Sequence, residues 1–281
     1  MSSHHGFIVA VEKDLLAGDT QFPTGLKVLA GLRRVLDDPD ASVDQVGTIV
    51  GAEPLVMARL LRLANCATFN PTGQEILTVE RAIQRVGFNM VRTAAAAVAI
   101  AQMRAGTLAP HMAAIADRAW LQSVRRSALA RVLAPRHDGA HPDEAGLCGL
   151  VSELGVFYLL QRATRYPTYS DASRVGALRE LLEEEAARIT AGLAVTLGLP
   201  KSITAVLAQW RQGGHCVGAA QALLGCLEEA ALVSPQVFGT GVEAMGEGFA
   251  QLLGVPEAQA TVFAHEARAQ LQDLLGALGY P

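Results

Sequence analysis

The sequence predicts an all-α protein. Apolar residues recur at helical spacing along almost the whole chain, alternating strand patterns are absent, and turns rich in Pro, Gly and Asp separate the apolar stretches. The chain has 281 residues, of which 51% are hydrophobic and 18% charged, so it can bury a substantial core. We therefore expect a helical bundle with an N-terminal helical subdomain.

The first hundred residues predict about five helices, each with recognisable start or stop signals. A helix over 25–37 ends in the turn Asp37-Asp38-Pro39, and Ser42 with Gln45 forms a capping box. The remaining helices are expected from Pro54, from Thr78 to Gly87, and from Asn89 through the alanine-rich segment VRTAAAAVAIAQM.

Helical patterns continue to the C-terminal end, beyond a joint expected between Gly106 and Pro110. They cover residues 112–134, 147–161, 174–197, 200–211, 216–233, 241–253 and 257–278, and a mobile loop is expected at 166–173. The predicted division is an N-terminal subdomain over 22–106, a second helical subdomain over 107–235 and a C-terminal helical extension over 236–281.

Charge is unevenly distributed along the chain, whose net charge is −4. Residues 1–106 carry ten basic and ten acidic side chains, residues 107–170 seven and five, and residues 171–281 six and twelve. Because affinity for phosphate backbones comes mostly from Lys and Arg, the acidic last third argues against a nucleic-acid groove there.

The four cysteines and the N-terminal segment indicate the compartment. The cysteines lack CxxC spacing, and three lie in apolar helical patterns, so we expect reduced thiols. The segment MSSHHGFIVAVEKD does not resemble a secretory signal, and no uncharged run reaches the roughly 20 residues that a membrane helix needs. A cytoplasmic protein that does not enter the membrane is therefore expected.

Two groups of residues could carry chemistry or binding. His137-Asp138 with His141 resembles a metal site, but the Gly and Pro residues of this loop favour a solvated loop. A basic surface could form from Arg59, Arg62, Arg81, Arg85 and Arg92, although pairing of these residues with Asp44, Glu53, Glu75 and Glu80 is favoured. The chain contains no GxSxG, GxxxxGK[ST] or GxGxxG motif.

Two segments resemble the HDOD domain family. They read FPTGLKVLAGLRRVLDDPDASVDQVGTIVGAEPLVMARLLRLANCATFN and LTVERAIQRVGFNMVRTAAAAVAI, and a weaker likeness continues to about residue 235. Pro54, Asn65 and Gly87 are the signature positions. The resemblance implies a helical bundle like that of the HD phosphohydrolases, whose metal site uses an early His, a His-Asp doublet and a late Asp.

The metal-ligand pattern of those hydrolases is not retained. Gln122, in Trp120-Leu121-Gln122-Ser123, stands where the early His would lie. Ser152 and Glu153 stand where the family pattern has His-Asp. Imidazoles supply much of the affinity of such sites, so we expect no cofactor, no bound metal and no catalysis.

Glu153 is the only charged residue between Glu144 and Arg162, within the apolar run LCGLVSELGVFYLLQ. An unpaired buried carboxylate is costly, so this residue needs a partner. We expect hydrogen bonds from Gln122 or from Arg125 on the neighbouring helix.

The resemblance implies a bacterial signal-transduction or regulatory module that acts by protein–protein interaction. Signalling proteins of two-component or cyclic-dinucleotide pathways are the expected partners. One alternative is a residual metal-dependent phosphohydrolase or a nucleotide-binding protein, for example one that binds a cyclic dinucleotide. A second is a nucleic-acid-binding regulator acting through Arg59, Arg62, Arg85 and Arg92, which the modest basic excess makes the weaker expectation.

Overall fold

A computed structural model describes residues 4–17, 28–32, 35, 38, 40–104, 108–197, 199–238 and 247–277, and every regular element in these ranges is a helix. The all-α prediction is thereby confirmed. The main helices are α1 His5–Ala17, α2 Val43–Gly51, α3 Pro54–Asn65, α4 Val79–Arg104, α5 Pro110–Leu133, α6 Pro142–Val151, α7 Leu154–Ala163, α8 Val175–Thr196, α9 Lys201–Gln209, α10 Ala219–Phe238, α11 Glu247–Leu253 and α12 Glu257–Ala277.

The N-terminal helices begin where their capping residues predict. Ser42 Oγ accepts a hydrogen bond from Gln45 N at 3.2 Å, and Gln45 Oε1 accepts one from Ser42 N at 2.9 Å, which completes the capping box of α2. Pro54 occupies the first turn of α3, where its missing N–H costs nothing. The helix expected over 25–37 is described only at 28–32 and 35, and both parts are helical.

Gly87 divides α4 into two helices, as the sequence predicts. Its φ of 77° and ψ of 167° lie in a region that only glycine adopts readily. The second half of α4 is the alanine-rich segment, and residues 93–100 of it are all buried. By length and composition α4 could cross a membrane, but 67% of its most apolar window is buried inside the protein, as in an ordinary core helix.

Helix α5 lies at the centre of the molecule. It packs against α4, α6, α7, α10 and α12, and the buried apolar residues form one continuous core. Helix α12 also contacts α3, so the C-terminal extension touches both predicted subdomains. The expected joint near residue 106 falls largely outside the described residues, and α10 continues through the predicted boundary at 235. The three-part division stays a prediction.

The apolar run 147–161 is two helices and not the single helix that its periodicity predicts. Helix α6 ends at Val151 and α7 begins at Leu154. A Cβ added to Gly149 would lie 2.6 Å from Ser127 N of α5, whereas one added to Gly155 would lie 2.2 Å from Ala186 O of α8. The two halves therefore pack closely on different helices, and both are apolar all round, so periodicity does not reveal the break.

The segment 166–173, expected to be a mobile loop, is largely structured. It forms a short α-helix at Pro167–Ser170, followed by a 3-10 turn at Ala172–Arg174. Tyr169 is buried, where its ring packs on Phe7 of α1 with the ring centroids 5.0 Å apart. Aromatic packing explains why a stretch rich in turn-forming residues is ordered.

Candidate functional site

Glu153 lies in the break between α6 and α7, with only 3% of its surface exposed. Arg126 of α5, also buried, donates from Nη1 to Glu153 Oε1 and, at 3.0 Å, to Ser152 Oγ. The Ser152 hydroxyl in turn donates to the carbonyl oxygen of Gly149 at 2.8 Å. The buried carboxylate is thus paired with a buried guanidinium, the arrangement that its desolvation requires.

A second arginine reaches the same carboxylate from the solvent side. Arg211 Nη2 donates to Glu153 Oε1 at 2.7 Å, although 46% of the Arg211 side chain stays exposed. The backbone of Arg211 is left-handed, with a φ of 63°, which is uncommon for a residue other than glycine. The Trp210 ring lies beside both guanidiniums, with its centroid 5.6 Å from Arg126 Cζ and 5.7 Å from Arg211 Cζ.

These partners differ from the two that the sequence predicts, and that prediction was wrong. Gln122 is exposed and lines a cleft with Glu153, without a hydrogen bond to it among the described contacts. Arg125 points elsewhere, to the carbonyl oxygen of Phe238 at 3.4 Å. Arg126 lies four residues after Gln122 and therefore shares its helix face, a spacing that could have identified it.

The donor set around Glu153 does not fit a divalent metal. Oε1 of Glu153 accepts from two guanidiniums, which would repel a cation placed beside it. Ser152 is engaged with Arg126 and a backbone carbonyl, and no imidazole lines the adjoining cleft except His111. Over the described parts of the chain, no group of three or more His, Cys, Asp or Glu side chains is arranged to hold a metal ion.

The two histidines of the 137–141 loop each have a structural partner. His137 Nε2 donates to Glu229 Oε2 of α10 at 2.8 Å, and Arg136 Nη2 lies 3.3 Å from Glu229 Oε1. His141 Nδ1 accepts from Asp143 N at 3.2 Å and so caps α6. His137 anchors α10 and is not merely solvated, and His141 supports the start of the helix that leads to Ser152.

Asn65 joins α3 to the segment that follows it. Its Nδ2 donates to Leu61 O at 2.9 Å and to Ile76 O at 2.8 Å, and its Oδ1 accepts from Ile76 N at 2.8 Å. The amide thus supplies backbone partners on both sides of the turn, where the end of a helix leaves carbonyl groups without a partner.

The predicted arginine surface is only partly assembled. Arg85 and Arg81 line a surface cleft of about 580 Å³, and Arg62 lines an adjoining cleft of about 400 Å³. Arg59 and Arg92 line neither cleft. Glu75 lines both clefts, so the surface is not free of acidic groups.

Arg59 and Arg92 have different surroundings from Arg62, Arg81 and Arg85, which are exposed. Arg59 is half-buried, and burial, followed by the charge of Arg62, lowers the pKa of its guanidinium. Arg92 Nη1 donates to Asn89 Oδ1 at 3.0 Å. Within the described ranges, no ion pair shorter than 4 Å joins Arg59, Arg62, Arg81 or Arg85 to the carboxylates that the sequence offered as their partners.

Sequence similarity to a known family lies in residues 22–212, which match the family model of the HDOD domain. No curated protein matches the chain significantly. The family match covers helices α2 to α9, the break at Glu153 and Arg211.

Solved structures with the same fold include three bacterial proteins. A candidate metal-dependent phosphohydrolase from Shewanella amazonensis SB2B has a TM-score of 0.68 and 23% identity, covering 96% of this chain and 100% of its own. An HDOD domain protein of unknown function from Geobacter sulfurreducens has a TM-score of 0.59 and 16% identity, covering 95% and 98%. A candidate signal transduction protein from Marinobacter aquaeolei VT8 has a TM-score of 0.54 and 17% identity, covering 92% and 59%. At these identities the likeness establishes the fold alone.

Proposed function

This chain belongs to the HDOD domain family, and on that premise we propose that it is a non-catalytic regulatory module of bacterial signalling that acts by binding other proteins. The observation that carries the proposal is the pairing of Glu153 with Arg126. In a metal-dependent hydrolase, a carboxylate at this position binds a cation that activates water. Here a guanidinium takes the place of that cation.

Ligand chemistry supports the absence of hydrolysis. A guanidinium balances the charge of a buried carboxylate, but it cannot bind and deprotonate a water molecule as a divalent metal does. Gln122 and Ser152 supply no imidazole. Uncatalysed phosphate-ester hydrolysis has a very high barrier, so a site lacking the activated nucleophile is expected to give no measurable turnover.

The test compares the wild type with the Glu153→Gln, Gln122→Ala double variant. Both are assayed with added Mn²⁺, Fe²⁺ and Mg²⁺ on cyclic dinucleotides, guanosine tetraphosphate and a generic phosphate ester, and the purified protein is analysed for bound metal. We expect no turnover above buffer and no stoichiometric metal. Metal-dependent turnover in the wild type that the double variant lacks would instead establish the hydrolase alternative.

The two clefts around residues 70–77 are the surface that we assign to protein binding. Leu77 is 71% exposed at the edge of one cleft, beside Arg62, and Arg85 lines the other. A large exposed apolar side chain flanked by arginines is typical of protein-interaction surfaces. Glu75 between the arginines makes the surface less suitable for a nucleic-acid backbone than for a protein of mixed charge.

Partner capture with surface variants tests this assignment. The expected partners are cytoplasmic signalling proteins of two-component or cyclic-dinucleotide pathways. Proteins that cross-link to the wild type in cells should no longer be captured by the double variant Leu77→Glu, Arg85→Glu. The control variant Val217→Glu should still capture them, because Val217 is 86% exposed but lies on a different segment. If all three forms capture the same proteins, the surface assignment is wrong.

A further inference from the structure

The cleft over Glu153 contains arginines from three separate segments. Arg118 comes from α5, Arg179 from α8 and Arg211 from the turn after α9. Arg118 and Arg179 are exposed, and neither forms an ion pair or hydrogen bond with any part of the chain that the structure describes. In a chain of net charge −4, such a convergence of cations is a local feature that composition does not predict.

The charge balance of this cleft is positive. The carboxylates that line it are Glu153 and Glu183. Glu153 is already neutralised from behind by Arg126. Arg118, Arg179 and Arg211 line the wall, and Arg126 lies behind it as the buried partner of Glu153. These four guanidiniums outnumber the two carboxylates by two positive charges. An anion carrying about two negative charges would balance it.

Besides His111 and Gln122, the remaining wall of the cleft is apolar, formed by Ala114, Ile115, Ala119, Val156, Val175 and Leu182. Its volume of about 500 Å³ lies within the range typical of small-molecule sites. Such a wall fits the body of an organic molecule, whereas the arginines fit a group with several anionic oxygens. The cleft thus combines the two surfaces that an organic phosphate presents.

We propose that this cleft binds an organic phosphate of about nucleotide size, with the phosphate on Arg118, Arg179 and Arg211 and the body on the apolar wall. The inference rests on the proposed function in one respect, namely that the ligand is bound and not hydrolysed. Arginine suits this task because its planar guanidinium matches phosphate oxygens in a bidentate way.

Arg211 gives the ligand a means of acting on the fold. Its guanidinium shares Glu153 Oε1 with Arg126, so it can turn toward a phosphate while Arg126 keeps the carboxylate paired. Arg211 lies in the turn after α9 and has a left-handed backbone. Ligand binding would therefore change the contacts of this turn, and it would do so without leaving a buried charge unpaired.

Titration calorimetry with ADP as the probe tests the proposal, with adenosine as the probe that lacks phosphate. The double variant Arg118→Gln, Arg179→Gln changes the site. The double variant Lys13→Gln, Lys201→Gln is the control, with the same change of net charge outside the cleft. Because all four side chains are exposed, folding should be unaffected. We expect saturable ADP binding at one site per chain, weakened at least about tenfold by the site variant and unchanged by the control.

Four results would overturn the inference: no saturable ADP binding, adenosine binding as tight as ADP binding, a site variant that binds like the wild type, or equal loss in the control. Release of inorganic phosphate is measured in the same samples. Turnover of bound ADP would refute the non-catalytic function and leave the binding site standing, so the two failures are distinguishable.

Discussion

Asn65 and Glu153 are both polar groups on which a local backbone arrangement depends, but they are satisfied in different ways. Asn65 completes its hydrogen bonds within 11 residues of sequence, to Leu61 and Ile76. Glu153 depends on Arg126, which is 27 residues earlier, and on Arg211, which is 58 residues later. The first is a neutral amide that serves the backbone, and the second is a charge whose burial requires another charge.

The comparison shows what each region requires of its polar side chain. An amide that bonds two backbone groups cannot be replaced without leaving those groups unpaired. A buried carboxylate needs a cationic partner, and here two arginines supply it. Asn65 therefore depends on nearby backbone, whereas Glu153 depends on side chains from distant segments of the chain.

The largest effect is expected from Arg126→Met, which would leave Glu153 with Arg211 as its sole ion-pair partner in the described structure. Removing one member of a buried ion pair typically costs about 3–5 kcal/mol, and the remaining arginine places this variant near the lower end. Urea denaturation measures the loss. In the double variant Arg126→Met, Glu153→Leu, most of the stability should return, because no charge is left buried alone.

That double variant is also the decisive control. If it is as unstable as Arg126→Met, the loss comes from packing around Trp210 and not from an unpaired carboxylate, and the contrast between the two regions fails.

A smaller loss, about 2 kcal/mol in the free energy of unfolding, is expected for Asn65→Ala, since Ile76 N and Ile76 O would both lose their partner. Asn65→Asp keeps the acceptor for Ile76 N and should lie between the wild type and Asn65→Ala. Thermal denaturation ranks the three. An unchanged melting temperature for Asn65→Ala, together with lost partner binding, would make Asn65 functional and not structural.

The local contacts could be predicted from the sequence, whereas the long-range partner of Glu153 was predicted wrongly. Ser42, Pro54, Thr78 and Gly87 act on backbone groups within a few residues, so their roles could be inferred from spacing alone. Composition predicts only that Glu153 needs a partner, since Arg125 and Arg126 are both available, and the four-residue spacing of Arg126 from Gln122 is the sequence signal that favours Arg126. Which of two adjacent arginines faces inward depends on the rotation of α5, and that is set by packing against five other helices.

Gly87 offers a test of the locally determined half. Its φ of 77° and ψ of 167° are strained for any other residue, and a Cβ there would meet nothing within 4 Å, so Gly87→Ala should cost about 1–2 kcal/mol through backbone strain alone. Gly51→Ala, at a helical position with equal space and no positive φ, is the control and should be neutral or slightly stabilising. Equal melting temperatures for the two variants would show that the break in α4 is not glycine-dependent.

The smallest effect concerns a second long-range carboxylate contact, between Glu229 and His137, and it depends on pH. Burial alone would raise the pKa of Glu229, but the hydrogen bond from His137 and the charge of Arg136 outweigh burial and hold that pKa below its ordinary value of 4.5. A carboxylate with a lowered folded-state pKa contributes stability that is fully present above about pH 4.5 and is lost as pH falls through the folded pKa.

Glu229→Gln should therefore melt below the wild type at pH 6, by the equivalent of about 1 kcal/mol or less, and the difference should shrink as the pH falls below 4.5. Glu228→Gln, at the exposed neighbouring position of α10, should melt like the wild type at every pH. A difference for Glu229→Gln that stays constant down to pH 3 would show that the contact stabilises by packing, in which case Glu153 would be the one carboxylate of the two whose charge matters to the fold.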